Sequence, residues 1–368
     1  MARIPLLLTS SLASFLALGL LGCPSDGPSP SPVTGEGGAP AELNLFLYSE
    51  YIDPQILADF TKEHGTEVHV SLFESTEEML AKLQHAAGTT QYDLVVAPNQ
   101  AIAAMRRLNL IQPLDHAKLP HLGNLAPRFR DPAYDPNSTT SVAYQWGTVG
   151  LMHRQGLLPE GERPSWSLLF DPAQHPGTFV LLDEARDQLG VALKFLGHSV
   201  NATDPAALKK AGELLLEAKR AQKARGFEGG VGGKNRVAAG SVDMAVVWNG
   251  DAVRAMDEVG QDKVSFVIPK EGSIIWTDAL VITSGAPNPD GAHALIDYLL
   301  RPEVGARLSA FTKYATPNQA ALPHLPAADR ENSAIYPSEE VLSTLEYLTD
   351  VGAHTRLYDE VWTAVKAR

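Results

Sequence analysis

Several places along the chain set an aromatic ring beside a carboxylate at the end of an apolar run. In "SIIWTDALVIT", residues 273–283, Trp276 and Asp278 interrupt β-branched neighbours. Residues two apart in an extended segment share a face, so one surface offers an indole and an anionic oxygen together. Tyr48, Glu50 and Tyr51 close "ELNLFLYSEY". Asp183, Glu184 and Asp187 follow the apolar "FVLL", and Trp248 ends "MAVVW" just before Asn249-Gly250-Asp251. Each group has an ordinary reading, since acids at a helix start satisfy its positive end and a strand-end Trp packs. Together they suit an organic ammonium. Such a cation gains about 0.5–2 kcal/mol over an aromatic face, and its N–H donors need carboxylate oxygens once water is excluded. Two anionic anchors at opposite ends of an aromatic slot would measure the length of a diamine or triamine. An unpaired carboxylate there is costly, so the slot favours a cation that neutralises it.

Other chemistries find no footing. The sequence has no HExxH, no Gly-x-Ser-x-Gly and no paired CxxC, and its eleven His lack metal-ligand spacing. His116 and His121, five apart beside prolines, read as surface residues. In "GGVGGKN" Lys234 precedes Asn rather than Ser or Thr, so a flexible loop is expected rather than a phosphate cradle. Neither a cofactor nor a metal is implied. A formal net charge of −13 argues against a nucleic-acid partner. An enzyme with paired carboxylates, such as a glycosidase, would need an acid/base motif that these tryptophan-flanked acids do not form. The expectation is a binding protein and not an enzyme.

The elements that must position these residues lie behind a distinctive start. "MARIPLLLTSSLASFLALGLLGC" has a basic residue, an apolar middle and small residues before Cys23, the layout of a secretory signal over residues 1–22. Cys23 is the single cysteine of the chain, so an internal disulfide is excluded. Leu-Leu-Gly-Cys resembles the bacterial lipobox, which implies lipidation of Cys23. Residues 23–42, rich in Pro, Ser and Gly, read as a semi-extended tether. No later segment has the length and hydrophobicity of a membrane span.

From residue 43 the pattern alternates. "ELNLFLYS", "TEVHVSLF" and "YDLVVAP" read as strands, separated by helices over "DPQILADFTKEHG" and "STEEMLAKLQHAAG". Asp53 and Pro54 start the first helix and Gly65 stops it. This βαβαβ order implies a doubly wound α/β lobe. A second alternating set follows, with an extended "SVAYQWGTVGLMHR", a long helix over "DPAALKKAGELLLEAKRAQ" and a strand–turn–helix in "VDMAVVWNGDAVRAM". "NPDGAHALIDYLLRPEVGARLSAF" gives two helices broken at Pro302, and "YPSEEVLSTLEYL" and "TRLYDEVWTAVKAR" read as amphipathic helices. Two α/β lobes with a cleft between them are the simplest architecture.

From about Leu43 onward, the ordered series "SEYIDPQILADFTKEHG", "FESTEEMLAKL", "YDLVVAP", "YQWGT", "WNGDA", "PKEGSIIWTDAL" and "YATPNQAA" resembles the spermidine/putrescine-binding proteins of bacterial ABC importers. The resemblance implies an α/β, two-lobed periplasmic binding protein fold (type II). One lobe would comprise 43–146 plus 277–322 and the other 147–276 plus 323–368, joined by crossover strands near Trp146 and Trp276. It implies a polyamine ligand, a permease partner, lobe closure on binding and a monomer in the periplasm or on the cell surface, held to the membrane through Cys23. It further implies that Glu50 and Tyr51 contact an amine end and a methylene wall. Glu184 and Asp187 would be slot acids, Trp248, Trp276 and Tyr314 slot aromatics, and Asp278 the grip on a terminal amine. Tyr48 stands where the family commonly has Trp, Pro98 and Gln100 where it has Ser and Tyr, and Leu348 where a Gln contact can occur. The choice between putrescine and spermidine stays open, as does a ligand-sensing lipoprotein acting on a signalling partner through the same slot.

Overall fold

The computed structural model describes residues 41–86, 91–159 and 163–368. The expected signal peptide, the lipidation site Cys23 and almost all of the tether lie outside them. No helix among the described residues is long and apolar enough to cross a membrane.

Among the described residues ten strands build the frame: β1 (Ala41–Tyr48), β2 (Thr66–Phe73), β3 (Leu94–Pro98), β4 (Val142–Arg154), β5 (Phe179–Leu182), β6 (Ala224–Glu228), β7 (Met244–Trp248), β8 (Val264–Val267), β9 (Ile274–Ile282) and β10 (Glu346–Tyr347). Strand β1 thus takes in Ala41 and Glu42 at the end of the expected tether. The neighbour order is β2-β1-β3-β9-β4-β7-β5-β6, with β10 on β9 and β8 on β4. β1 runs parallel to β2 and β3, and β5 runs parallel to β6 and β7. Each half is therefore a parallel set bordered by one antiparallel strand, β9 or β4. This is the two-lobed α/β fold. Strand β4 spans both halves: Val142–Thr148 pairs with β9, and Val149–His153 pairs with β7. Trp146 faces Thr277 and Gly147 faces Trp276 in that ladder.

The helices follow their sequence signals. The Asp53 side chain accepts from Gln55 N at the head of Pro54–His64, and Gly65 ends that helix at φ 67°. Asp204 accepts from Ala206 N and Ala207 N to start Pro205–Arg220. Strands β3, an apolar run, and β9, apolar apart from Thr277 and Asp278, are buried along their whole length, as strands covered on both faces are. Phe46, Val95, Ile102 and Val281 pack on one face of the first sheet, and Met152, Val180, Ala245 and Val264 on one face of the second.

Two expectations fail. "GGVGGKN" is not a loop: Gly232–Ala238 is helical. A Cβ on Gly233 would stand 3.3 Å from the Val247 side chain and 3.4 Å from that of Ala245, so the glycine lets this helix lie close on β7. The segment over 336–348 is not one helix. It makes a single turn, Glu339–Leu342, and then the short strand β10. There Ser199 donates to Glu346 at 2.7 Å and Lys194 pairs with the same carboxylate. The pairing of Glu346 and Tyr347 with β9 supersedes the helical period.

Candidate binding slot

The parallel strands β1, β3, β5 and β7 point their carboxyl ends at one cleft, where α/β sheets present ligand sites. The cleft is a narrow slot enclosing about 530 Å³, open mouth included, with Tyr48, Tyr51, Pro98 and Gln100 on its walls from the first lobe. Asp187, Trp248 and Asp251 face it from the second lobe, and Trp276, Asp278 and Tyr314 complete it.

Three carboxylates each have an aromatic residue beside them. Tyr51 Oη donates to Asp278 Oδ2 at 2.9 Å. The Trp248 side chain stands by Asp187 and the Tyr314 side chain by Asp251, each favouring the charged form of its acid. The three acids are only 5–6 % exposed. Among the described residues none of them forms an ion pair. Loss of water pushes each of their pKa values up to about 7, opposed at Asp187 by the Trp248 side chain, at Asp251 by the Lys234 charge and then by Tyr314, and at Asp278 by the Tyr51 hydrogen bond. For Asp187 the nearby Asp278 and Glu77 add to the rise. Asp278 has no cation near enough to lower it.

The rings form a box around these acids. Tyr51 and Trp276 each meet Tyr314 edge-on, at 5.3 and 5.2 Å between centroids. Tyr48 meets Trp248 across the cleft at 5.9 Å, and its hydroxyl lies 3.3 Å from Thr76 Oγ1. Two glycines permit this approach. A Cβ on Gly147 would sit 2.4 Å from Asn249 Oδ1 and 2.6 Å from the Trp276 ring, and one on Gly250 would sit 2.6 Å from the Tyr314 ring.

Most of the residues singled out from sequence therefore meet: Tyr48, Tyr51, Gln100, Asp187, Trp248, Trp276, Asp278 and Tyr314 all line the slot. Buried Gln100 Oε1, Asp187 Oδ1 and Trp276 Nε1 have no hydrogen-bond partner among the described residues. Glu184 stands behind the wall, 2 % exposed. Its Oε2 accepts from Thr76 N at 3.0 Å, tying the second lobe to the first turn of Thr76–Ala86 in the first. Burial holds its pKa well above the ordinary carboxylate range, helped by Glu77 and Asp187. Glu50 turns away from the slot at φ 56°, and its carboxylate meets Lys234 Nζ at 2.8 Å and Arg254 at 3.2 Å. Leu348 is buried elsewhere, its carbonyl accepting from Asn99 Nδ2 at 2.6 Å.

Asp251 is noted after Trp248 in the sequence but not counted among the ligand residues, because Asn-Gly-Asp reads as a turn. The helix Asn249–Val259 starts immediately after β7 instead, so Asp251 sits in its first turn and faces the slot. The spacing of Trp248 and Asp251, three apart at a strand–helix junction, was the available signal. His116 and His121 bond Ser138 O and Asp297, at 2.8 Å each. No group of acids, His or Cys among the described residues could hold a metal ion.

Comparison with known proteins identifies the family. The family model described as "Bacterial extracellular solute-binding protein" matches residues 55–334. The spermidine/putrescine-binding periplasmic protein of Escherichia coli (strain K12) is 34 % identical over 337 residues, covering 90 % of this chain and 95 % of that protein. The solved spermidine/putrescine ABC transporter substrate-binding protein of Streptococcus pneumoniae is 29 % identical with a TM-score of 0.72, over 89 % of this chain and 99 % of that one. A solved lipoprotein of Treponema pallidum is 26 % identical with a TM-score of 0.76, over 89 % of this chain and all of that one (100 %). The chain belongs to the bacterial extracellular solute-binding proteins, in the family of the spermidine/putrescine-binding proteins of ABC importers.

Proposed function

We propose that this protein captures a polyamine, putrescine or spermidine, in the slot and delivers it to the permease of an ABC importer. The observation that carries this reading is the set of three buried carboxylates, Asp187, Asp251 and Asp278, each beside an aromatic side chain and none in an ion pair. An ammonium group supplies the missing charge and three donors, and the rings of Tyr51, Trp276 and Tyr314 supply faces for the cation and the methylene chain. Tyr48, Gln100 and Trp248 shape the walls. Glu184 joins the two lobes around the bound amine, and lobes over 43–146 plus 277–322 and 147–276 plus 323–368 close on it. Lipidation at Cys23 would hold the protein at the membrane on its tether, as a monomer. Binding without turnover is the expected activity.

Calorimetric titration of the purified protein with putrescine, spermidine and spermine, with arginine as control, tests this. Micromolar or tighter binding of at least one polyamine, about −8 kcal/mol, is the expected result. An absence of heat with all three would overturn the reading.

A further inference from the structure

The slot crosses the strand ends from the middle of the molecule to the sheet edges. In the first half the neighbour order is β2-β1-β3-β9, so Asp278 on β9 and Glu74, the residue after β2, stand three strands apart. Both line the slot. Neighbouring strands lie about 4.8 Å apart, which puts about 14 Å between the two stations. In the second half the order β7-β5-β6 sets Asp251 behind β7, Asp187 behind β5 and Gly230 behind β6. Asp278 and Asp251 thus mark the inner end, Asp187 the middle, and Glu74 with Gly230 the outer end.

Glu74 is built into that outer end. Its carboxylate fills the place a side chain at residue 230 would take, and a Cβ on Gly230, at φ 48°, would collide with it. Ser49 Oγ donates to Glu74 Oε2 at 3.1 Å, and the Glu74 N–H donates to Glu78 at 2.9 Å. Among the described residues Glu74 forms no ion pair. Lys82 goes to Glu78 at 2.7 Å, while Lys234 and Arg254 hold Glu50 at 2.8 and 3.2 Å. Partial burial raises the Glu74 pKa, opposed by the Ser49 hydrogen bond and reinforced by Glu78 and Glu50. Glu50, which the family resemblance sets against an amine end, is therefore used up within the protein, and Glu74 is left as the acid at this mouth. Between the two ends Asp187, only 5 % exposed, keeps Oδ1 without a hydrogen-bond partner among the described residues.

We propose that Glu74 is the outer anchor of the slot and takes the far ammonium of a triamine, so that the preferred ligand is a spermidine-like triamine and not a diamine. This inference rests on the polyamine reading above. Length separates the two ligands. With bonds of about 1.5 Å and angles near 111°, an extended chain advances about 1.2 Å per bond. The five bonds between the nitrogens of a four-carbon diamine cover about 6 Å, and the nine bonds of spermidine about 11 Å. With a hydrogen bond of about 2.8 Å at either end, spermidine bridges Asp278 and Glu74 with slack, whereas putrescine falls short. The secondary ammonium of the triamine then passes Asp187, whose unclaimed oxygen accepts from it. A diamine gripped at Asp278 leaves Glu74 to water.

The test is titration of the wild-type protein, Glu74→Gln and Glu74→Asp with putrescine and spermidine, with melting curves as the fold check. Wild type is expected to bind spermidine at least about tenfold more tightly than putrescine, through the added charge-assisted hydrogen bonds. Glu74→Gln keeps the shape and removes the charge, and narrows that ratio about fivefold, as suits an ion pair at an open mouth. Glu74→Asp keeps the charge on a shorter arm and narrows it less. Wild-type preference for putrescine, or a ratio that Glu74→Gln leaves within about twofold, overturns the inference while the polyamine reading stands. A larger loss in Glu74→Asp than in Glu74→Gln assigns the effect to packing and overturns it as well. Wild-type protein that binds neither amine overturns the polyamine reading and this inference with it.

Discussion

Strand β9 has two faces, and each looks into a cavity. Trp276 and Asp278 line the slot, while Ile275 and Thr277 line a larger hollow on the other side, about 1650 Å³ against about 530 Å³, open mouths included. The period of two along a strand sorts one sequence between two environments. The rear hollow is also lined by charge, but most of it is engaged within the protein. Arg106 pairs with Asp135 at 2.8 Å, Arg107 with Asp350, and Arg128 lies over the Phe129 and Trp146 rings at 4.6 and 5.2 Å. The hydrogen bond from Arg107 holds the Asp350 carboxyl below its ordinary range, whereas desolvation pushes Asp278 up to about 7. Size therefore does not mark the ligand site. Uncompensated charge does.

That contrast can be broken by experiment. The largest effect is expected from Asp278→Asn, which keeps shape and removes the charge that no protein cation balances. Amine affinity should fall about 100-fold or more while the melting temperature holds or rises. Affinity like that of wild type would end the charge account of the slot.

The pH dependence comes next. Asp187, Asp251 and Asp278, at about 7 in the folded protein, sit above the ordinary aspartate value of about 3.9. Between those two values the folded state holds more protons than the unfolded state, so the stability of the ligand-free protein falls as pH rises through that window. Ligand affinity moves the other way. An alkyl ammonium stays charged, near the lysine value of about 10.4, and needs ionised acids. Lowering the pH from 8 to 6 should weaken binding by about tenfold or more. Glu77 and Glu184 reinforce the proton uptake, and Arg186 and Lys234 oppose it. Titrations across that range check the slope, and a flat profile would contradict it.

Trp276→Ala should cost about 1–2 kcal/mol of binding, roughly 5- to 30-fold, from the lost cation–π face. Because the ring is only 6 % exposed, the melting temperature should fall as well. The smallest effect belongs to the rear hollow. Arg128→Ala removes a cation from a face that meets no ligand, so amine affinity should change by less than about twofold, as for a surface change away from the site. A large loss there would mean the two faces of β9 are coupled.

Much of this arrangement was legible in the residues. Trp276 with Asp278, and Trp248 after an apolar run, gave the slot by strand periodicity. Asp53 announced its helix because capping is local chemistry. What escaped depended on contacts distant in sequence. Glu50 neighbours Tyr51 in the chain, yet its left-handed backbone turns it to Lys234, 184 residues away. The glycines of "GGVGGKN" suggested mobility, but their small size serves packing on β7. Asp251, seen beside Trp248, was passed over as part of a turn, and Glu346 and Tyr347 left a helical pattern to pair with β9. Local rules recover the anchors, and the partners that neutralise or spare them appear only when the halves meet.

The placement of Trp248 and Trp276 has an optical consequence. Both indoles border the slot, one beside Asp187, the other with its N–H unclaimed among the described residues. A cation arriving between them alters the electric field across both chromophores at once. Occupancy of the slot is thereby written into the protein's own ultraviolet emission, and filling can be followed in real time without a label.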